Sequence, residues 1–211
     1  MRRTTGINLS PYFPASKLAW FMENVKKMWG MRVGVFFLGW GVVKGIRGEA
    51  GPGDCGQGCL EKGMIKTTYG TGSSIMMNIG DKPVISTHGV AASLAWGMDG
   101  RVNYVLEGNI NYTGAVITWL KDDLKLIASA SETEGLARQA NEDDTTYLVP
   151  AFTGIGAPYW DSEARAAIVG ITRKTRTPEL VKAGLECIAY QIADVVEAMS
   201  RAAVGAVLTK S

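Results

Sequence analysis

"KTTYGTGSSIMMNIG", residues 66–80, sets a Gly-Thr-Gly turn, Gly70-Thr71-Gly72, between two short runs suited to extended chain. Thr and Tyr before the turn, and Ile and Met after it, favour strands, and the glycines supply the reversal, so the stretch reads as a β-hairpin. Its arms widen to "GMIKTTYGTG" and "SSIMMNIGDKP", with "VNYVLEGNI" as a further strand. A turn of this composition lets the backbone approach a ligand closely and point successive N–H groups at an anion, with the threonine hydroxyl as an added donor. Spacing alone favours the plainer reading, since three such residues more often serve only as a hairpin turn.

Downstream, "NYTGAVITWLKDDLKLI" places Ala115, Ile117, Leu120, Leu124 and Ile127 on one side of a helix. "TEGLARQA" is a short helix or loop, and "TYLVPAF" and "AAIVGIT" have strand composition on either side of the turn-rich "TGIGAPYWDSEAR". The clearest signal is the last. Thr177 suits an N-cap, Pro178 the first helical position and Glu179 the positive end of the dipole. Val181, Leu185, Ile188, Ile192, Val195 and Met199 then follow at steps of four and three, the mark of a long helix with one buried stripe.

Upstream the character differs. "PASKLAWFMENVKKMW" carries Leu18, Phe21, Met22, Val25, Met28 and Trp29 at helical spacing. Residues 30–58 hold ten glycines, a composition that favours loops over packed elements. Three segments result: residues 1–29, a glycine-rich junction over 30–58, and the main body over 59–211.

At 211 residues, 46% hydrophobic and 20% charged with a net charge of +2, the chain has the composition of an ordinary folded domain. It lacks the charge imbalance of nucleic-acid or acidic-lipid binders, which leaves a small molecule as the expected partner. Three cysteines, Cys55, Cys59 and Cys187, fit neither a disulfide framework nor a zinc pattern, and a reducing cytoplasm is the expected setting. No secretory signal is read at the N-terminus. The apolar "VGVFFLGWGVV" falls short of the ~20 residues a bilayer span needs. His88, the single histidine, lies in a polar turn and is read as solvated.

Taken together, "GQGCLEKGMIKTTYGTG", "NYVLEGNINYTGAVITWLKDDLKLI", "YLVPAFTGIGAPYWDSEARAAIVGITRKTR" and "ELVKAGLECIAYQIADVVEAM" closely resemble the FGGY carbohydrate kinases, the glycerol kinases in particular. The likeness runs in order from Gly56 to Met199, with "TGIGAPYWD" and "IVGITR" its most specific parts. "TGINLSPYFPASKLAW", from Thr5 to Trp20, resembles a segment that lies well upstream in those kinases. The resemblance implies an α/β fold, the actin-like (ribonuclease H-like) ATPase architecture, here incomplete. Residues 1–29 would be a remnant of the N-terminal kinase domain and residues 59–211 part of the C-terminal one.

The same resemblance implies phosphoryl transfer from ATP to glycerol with Mg2+, in the cytoplasm, with glycerol and ATP as partners and neither nucleic acid nor membrane. "TYGTG" would be a phosphate loop, in which Gly70, Thr71 and Gly72 contact the nucleotide, joined by Gly114 of "NYTGAV". Thr118 falls where many relatives carry a nucleotide-contacting glutamine. Tyr12 matches a tyrosine that touches glycerol, with a core-capping tyrosine as the alternative. No residue is assigned to a metal. Counting back from "GQGC" puts Glu49 where the family has its catalytic aspartate, one methylene longer and without the neighbouring glutamine. A solvated glutamate in a glycine-rich loop is the alternative, and Asp54 a weaker substitute. Ser74 stands where relatives often have an aromatic residue against the substrate. Trp160 and Asp161 are expected to brace the "GAPYWD" loop. The family's first phosphate loop and its "DGGA" stretch have no counterpart, so a fragment with no catalysis and at most weak nucleotide binding or subunit association is the competing expectation. With it go low solubility and self-association into a homo-oligomer.

Overall fold

The computed structural model describes Cys59, residues 61–98 and residues 101–208. Tyr12, Glu49, Asp54, Cys55, the helix read over 14–29 and the glycine-rich junction lie outside the described residues.

The hairpin forms as its sequence dictates. Strand β1, Ile65–Tyr69, pairs antiparallel with β2, Ser73–Gly80, so that Tyr69 faces Ser73 across the Gly-Thr-Gly turn. Strands β3, Ala91–Met98, and β4, Arg101–Ile110, complete a four-stranded antiparallel sheet in the order β1-β2-β4-β3. In β2 the alternation sends Ser73, Ile75, Met77 and Ile79 to one buried face. Register places Ile75 opposite Gly108 and Met77 opposite Leu106, so the two central strands share that face. Strand β3 is absent from the sequence reading. "AASLAWGM" has little β-branched content and no alternation, and its pairing is imposed by the longer β4 beside it.

After β4 the chain enters a short helix, α1, Gly114–Thr118, which continues as a π-helical turn over Trp119–Asp123. The single helix expected over residues 111–127 is therefore corrected. It stops where Lys125 takes a left-handed φ of 56°, and Leu126 N–H returns to Leu120 C=O at 2.9 Å. This closure spans one residue more than the usual six-to-one bond, the extra residue being the one the widened turn takes up. Val116 and Leu120 are the fully buried side chains, Leu124 is exposed, and Ile127 is buried beyond the helix end.

Helix α2, Glu132–Ala137, follows, and then β5, Tyr147–Val149, paired antiparallel with β6, Ala167–Val169. The 32-residue α3, Thr177–Leu208, runs across everything. Its stripe holds as read at Val181, Val195 and Met199, while Leu185, Ile188 and Ile192 are half-buried. Small residues widen the buried face: Ala183, Gly184, Cys187, Ala198 and Ala202.

Two apolar clusters result, and α3 contributes to both. One joins Ile75, Met77, Ile79 and Leu106 of the sheet to Val195, Met199 and Ala202. The other joins Val116, Leu120 and Leu148 to Val181, Ala183 and Cys187. At roughly 1.5–3 kcal/mol for each large aliphatic side chain removed from water, this shared face is what fixes α3 against the sheet. Leu180 N–H donates to Arg176 C=O at 3.2 Å, which makes Arg176 the capping residue, one position before the expected Thr177. The reason is Glu179. Its buried carboxylate reaches back to accept Arg176 N–H at 2.7 Å and Asn141 N–H at 3.0 Å. These two bonds, the Asn141 one foremost, hold the carboxyl below its ordinary pKa.

The "TGIGAPYWD" loop is tied down where expected. Trp160 Nε1 donates to Gly89 C=O at 2.5 Å, Ala157 N–H to Asn109 C=O at 3.1 Å, and Asp161 Oδ1 accepts the N–H groups of Glu163 and Ala164. His88 is exposed, as read. Among the described residues no helix is long and apolar enough to cross a membrane.

Candidate functional site

The Gly-Thr-Gly turn does not stand free. It is clasped by the start of α1, whose first amides have no partner inside their own helix. Gly114 N–H donates to Gly70 C=O at 3.0 Å, while Thr113 N–H and Ala115 N–H both donate to Thr71 C=O, at 3.1 and 3.0 Å. Thr113 Oγ1 adds a fourth bond to Gly70 C=O at 3.1 Å and also pairs with Ser73 Oγ at 2.8 Å.

Peptide planarity turns this into a statement about the opposite side of the turn. In a trans peptide the C=O and the following N–H point in opposite directions. Since the carbonyls of Gly70 and Thr71 both aim at α1, the N–H groups of Thr71 and Gly72 both aim away from it. Among the described residues neither N–H has an acceptor. Thr71 is exposed and Gly72 half-buried. Two consecutive free donors on one side of a turn, with the Thr71 hydroxyl beside them, suit the oxygens of an anion.

The glycines are required by packing as well. A Cβ on Gly114 would lie 2.5 Å from Gly70 O, and one on Gly72 would lie 2.5 Å from Ile110 O. Gly70 is less constrained, its nearest contact being Gly72 O at 3.3 Å. The turn therefore needed glycine and leaves free amides too.

Of the residues read as contacting nucleotide, Gly70, Thr71, Gly72 and Gly114 come together here. Thr118 lies one helical turn further along α1, exposed, with its hydroxyl bonded to Gly114 C=O at 3.2 Å. Ser74 sits on the opposite sheet face from Ser73, and its buried hydroxyl has no partner among the described residues. Thr113 and Ser73 were not singled out from sequence. A threonine before a helix announces an N-cap, and nothing local says that its hydroxyl will serve a turn 43 residues away.

Among the described residues every group that ties into the turn is uncharged: Ser73, Thr113, Gly114, Ala115 and the backbone at Ile110 and Asn111. Such a site can orient an anion through amide dipoles. It offers no base.

An antiparallel sheet is thus spanned by one long helix, and a hairpin turn clasped by a helix start presents two amides outward. The chain belongs to the FGGY family of carbohydrate kinases: the description of that family's C-terminal domain fits residues 65–209. Among curated proteins it is 50% identical over 159 residues to a glycerol kinase of Natranaerobius thermophilus, covering 75% of this chain and 32% of the relative. A Petrotoga mobilis glycerol kinase is 50% identical over 157 residues, covering 74% and 32%. The chain thus spans about a third of the length of the curated relatives it matches.

Among solved structures, Plasmodium falciparum glycerol kinase with ADP superposes with a TM-score of 0.67 at 35% identity, over 72% of this chain and 30% of that one. A ligand-bound xylulose kinase from Lactobacillus acidophilus gives 0.54 at 26% identity, over 64% and 27%. The mixed helix-and-sheet arrangement is accordingly part of an actin-like ATPase fold, as the sequence implied.

Proposed function

We propose that this chain supplies the nucleotide-phosphate side of an ATP-dependent glycerol kinase. The observation that carries the reading is the direction of the Thr71 and Gly72 amides, both turned out from the clasp and both without an acceptor among the described residues. The phosphate oxygens of ATP are matching acceptors, and a backbone donor pair needs no reorganisation as charge builds on them. Gly114 fits the same role by letting α1 approach, with Thr118 at the rim. Mg2+ would arrive bound to the phosphates, and no residue here is assigned to it.

In the reaction a terminal hydroxyl oxygen of glycerol bonds to the γ-phosphorus, the bond from that phosphorus to the β–γ bridging oxygen breaks, and the hydroxyl proton passes to a carboxylate. Among the described residues every group bonded to the turn is uncharged, so the carboxylate is sought elsewhere, with Glu49 as this chain's candidate and Tyr12 as the candidate contact to glycerol. That same absence of charge supports a second reading, nucleotide binding without turnover.

Titration of the full chain with Mg-ADP, followed by amide NMR, tests the site. Shifts concentrated at Thr71 and Gly72 are expected, and saturation without movement of either refutes it. Incubation with glycerol and labelled Mg-ATP then separates the two readings. Glycerol-dependent transfer above a Glu49→Ala control means a kinase, and binding with no transfer means a nucleotide-binding domain.

A further inference from the structure

We infer that Thr113 is a positioning residue for the phosphate turn, acting through its hydroxyl on the Gly70 carbonyl. The inference rests on the nucleotide reading above and names a residue which that reading does not use.

Thr113 occupies the capping position of α1 yet makes no side-chain bond to its own helix. An N-cap threonine ordinarily accepts the N–H two or three residues on. Here both of those donors are already engaged, Ala115 N–H by Thr71 C=O and Val116 N–H by the Thr113 C=O, each at 3.0 Å, and the hydroxyl is released for other work. It is 1% exposed and sits between Gly70 O at 3.1 Å and Ser73 Oγ at 2.8 Å. One hydroxyl thereby links the two ends of the turn.

Its bond to Gly70 C=O fixes the orientation of the peptide plane whose other end is the Thr71 N–H. Without that bond the Gly70 carbonyl keeps only the Gly114 N–H as partner. A glycine-flanked plane held at one point can rotate, and the two outward amides lose their common direction. Thr113 touches no ligand itself, so its effect should be on affinity through preorganisation of the turn.

The test uses the full chain with Thr113→Val, which keeps the shape and removes the hydroxyl, and Thr113→Ser, which keeps the hydroxyl. Thr113→Val is expected to speed amide hydrogen exchange at Gly114, whose N–H is then left as the only bond on the Gly70 carbonyl, and to raise the Kd for Mg-ADP by about 5–10-fold, the loss of roughly one hydrogen bond. Thr113→Ser should restore both to within about 2-fold of the parent, which a purely packing role would not produce. Should Thr113→Val not fold, Thr113→Ala carries the same expectations. Unchanged exchange at Gly114 in the hydroxyl-free variant overturns the positioning role whether or not nucleotide binds. A parent chain that fails to bind Mg-ADP overturns the nucleotide reading instead.

Discussion

Gly108 on β4 lies so near Val195 on α3 that a Cβ built on the glycine would fall 2.4 Å from Val195 Cγ1. Contact at that distance is repulsive, and Val195 is completely buried among Ile75, Leu106 and Met199, so it has nowhere to retreat. Gly108→Ala should therefore cost about 1–3 kcal/mol, the usual penalty for overpacking, in spite of alanine's lower backbone entropy cost. Urea unfolding of the parent and variant measures it. A neutral or stabilising result would mean that α3 rides further from the sheet.

Glu179 makes folding sensitive to acid. Its carboxyl is pulled below the ordinary value of 4.5, first by the Asn141 N–H and then by the Arg176 N–H, against the opposing effect of burial. A folded pKa below the unfolded one means that the group stabilises the fold fully above about pH 4.5 and that this contribution disappears as pH falls through the lower, folded value. Glu179→Gln replaces one acceptor oxygen with an amide that faces an N–H, a mismatch worth roughly 1–3 kcal/mol at neutral pH. Denaturant midpoints across an acid series should show the gap between parent and variant closing as pH drops. A gap of constant size would sink the assignment.

The parts of the fold legible from sequence are those where side-chain pattern and local geometry agree. The β1–β2 hairpin and the stripe of Val181, Val195 and Met199 follow from periods of two and of three to four. Strand β3 was illegible because Ala91, Ala92 and Ser93 carry no strand preference of their own and are held by Glu107, Leu106 and Val105 across the ladder. The early end of α1 was hidden for a related reason. Apolar residues continue at helical spacing through Ile127, and only the left-handed turn at Lys125 shows that Ile127 reaches the core from a loop. At the site, Gly70, Thr71 and Gly114 were named from their residue types and the family likeness. Thr113 was not, because its role depends on a contact between segments 40 or more residues apart.

Cys187 is a test of packing around α3. It is 2% exposed, its thiol donates to Gly184 C=O at 3.2 Å, and burial pushes its pKa up to about 12. Thiolate is the reactive form, so at about pH 8 alkylation should be very slow in the native chain and rapid in denaturant. Peptide mapping after a timed iodoacetamide pulse reports on Cys187 separately from the other cysteines. Fast native labelling at this position would show that the second apolar cluster opens readily.

Gly114→Ala probes the clasp at its tightest point. The new methyl would meet Gly70 O at 2.5 Å and come within 3.7 Å of Thr71 N, both backbone atoms that cannot rotate aside like a side chain. Relief requires the turn and α1 to separate, which stretches the Gly114-to-Gly70 and Ala115-to-Thr71 bonds together. The expected stability loss is about 1–3 kcal/mol, offset in part because alanine is the better helix former. Affinity for Mg-ADP should fall further than stability does, by at least ~10-fold, because displaced amides cannot both reach the same phosphate. Gly135→Ala is the matched control, since that glycine lies in α2 with no atom within 4 Å of its added Cβ. Calorimetry of Mg-ADP binding on the three proteins decides the matter. Equal affinities for the Gly114 and Gly135 variants would detach the clasp from nucleotide binding, whereas a loss confined to Gly114→Ala would tie the two together.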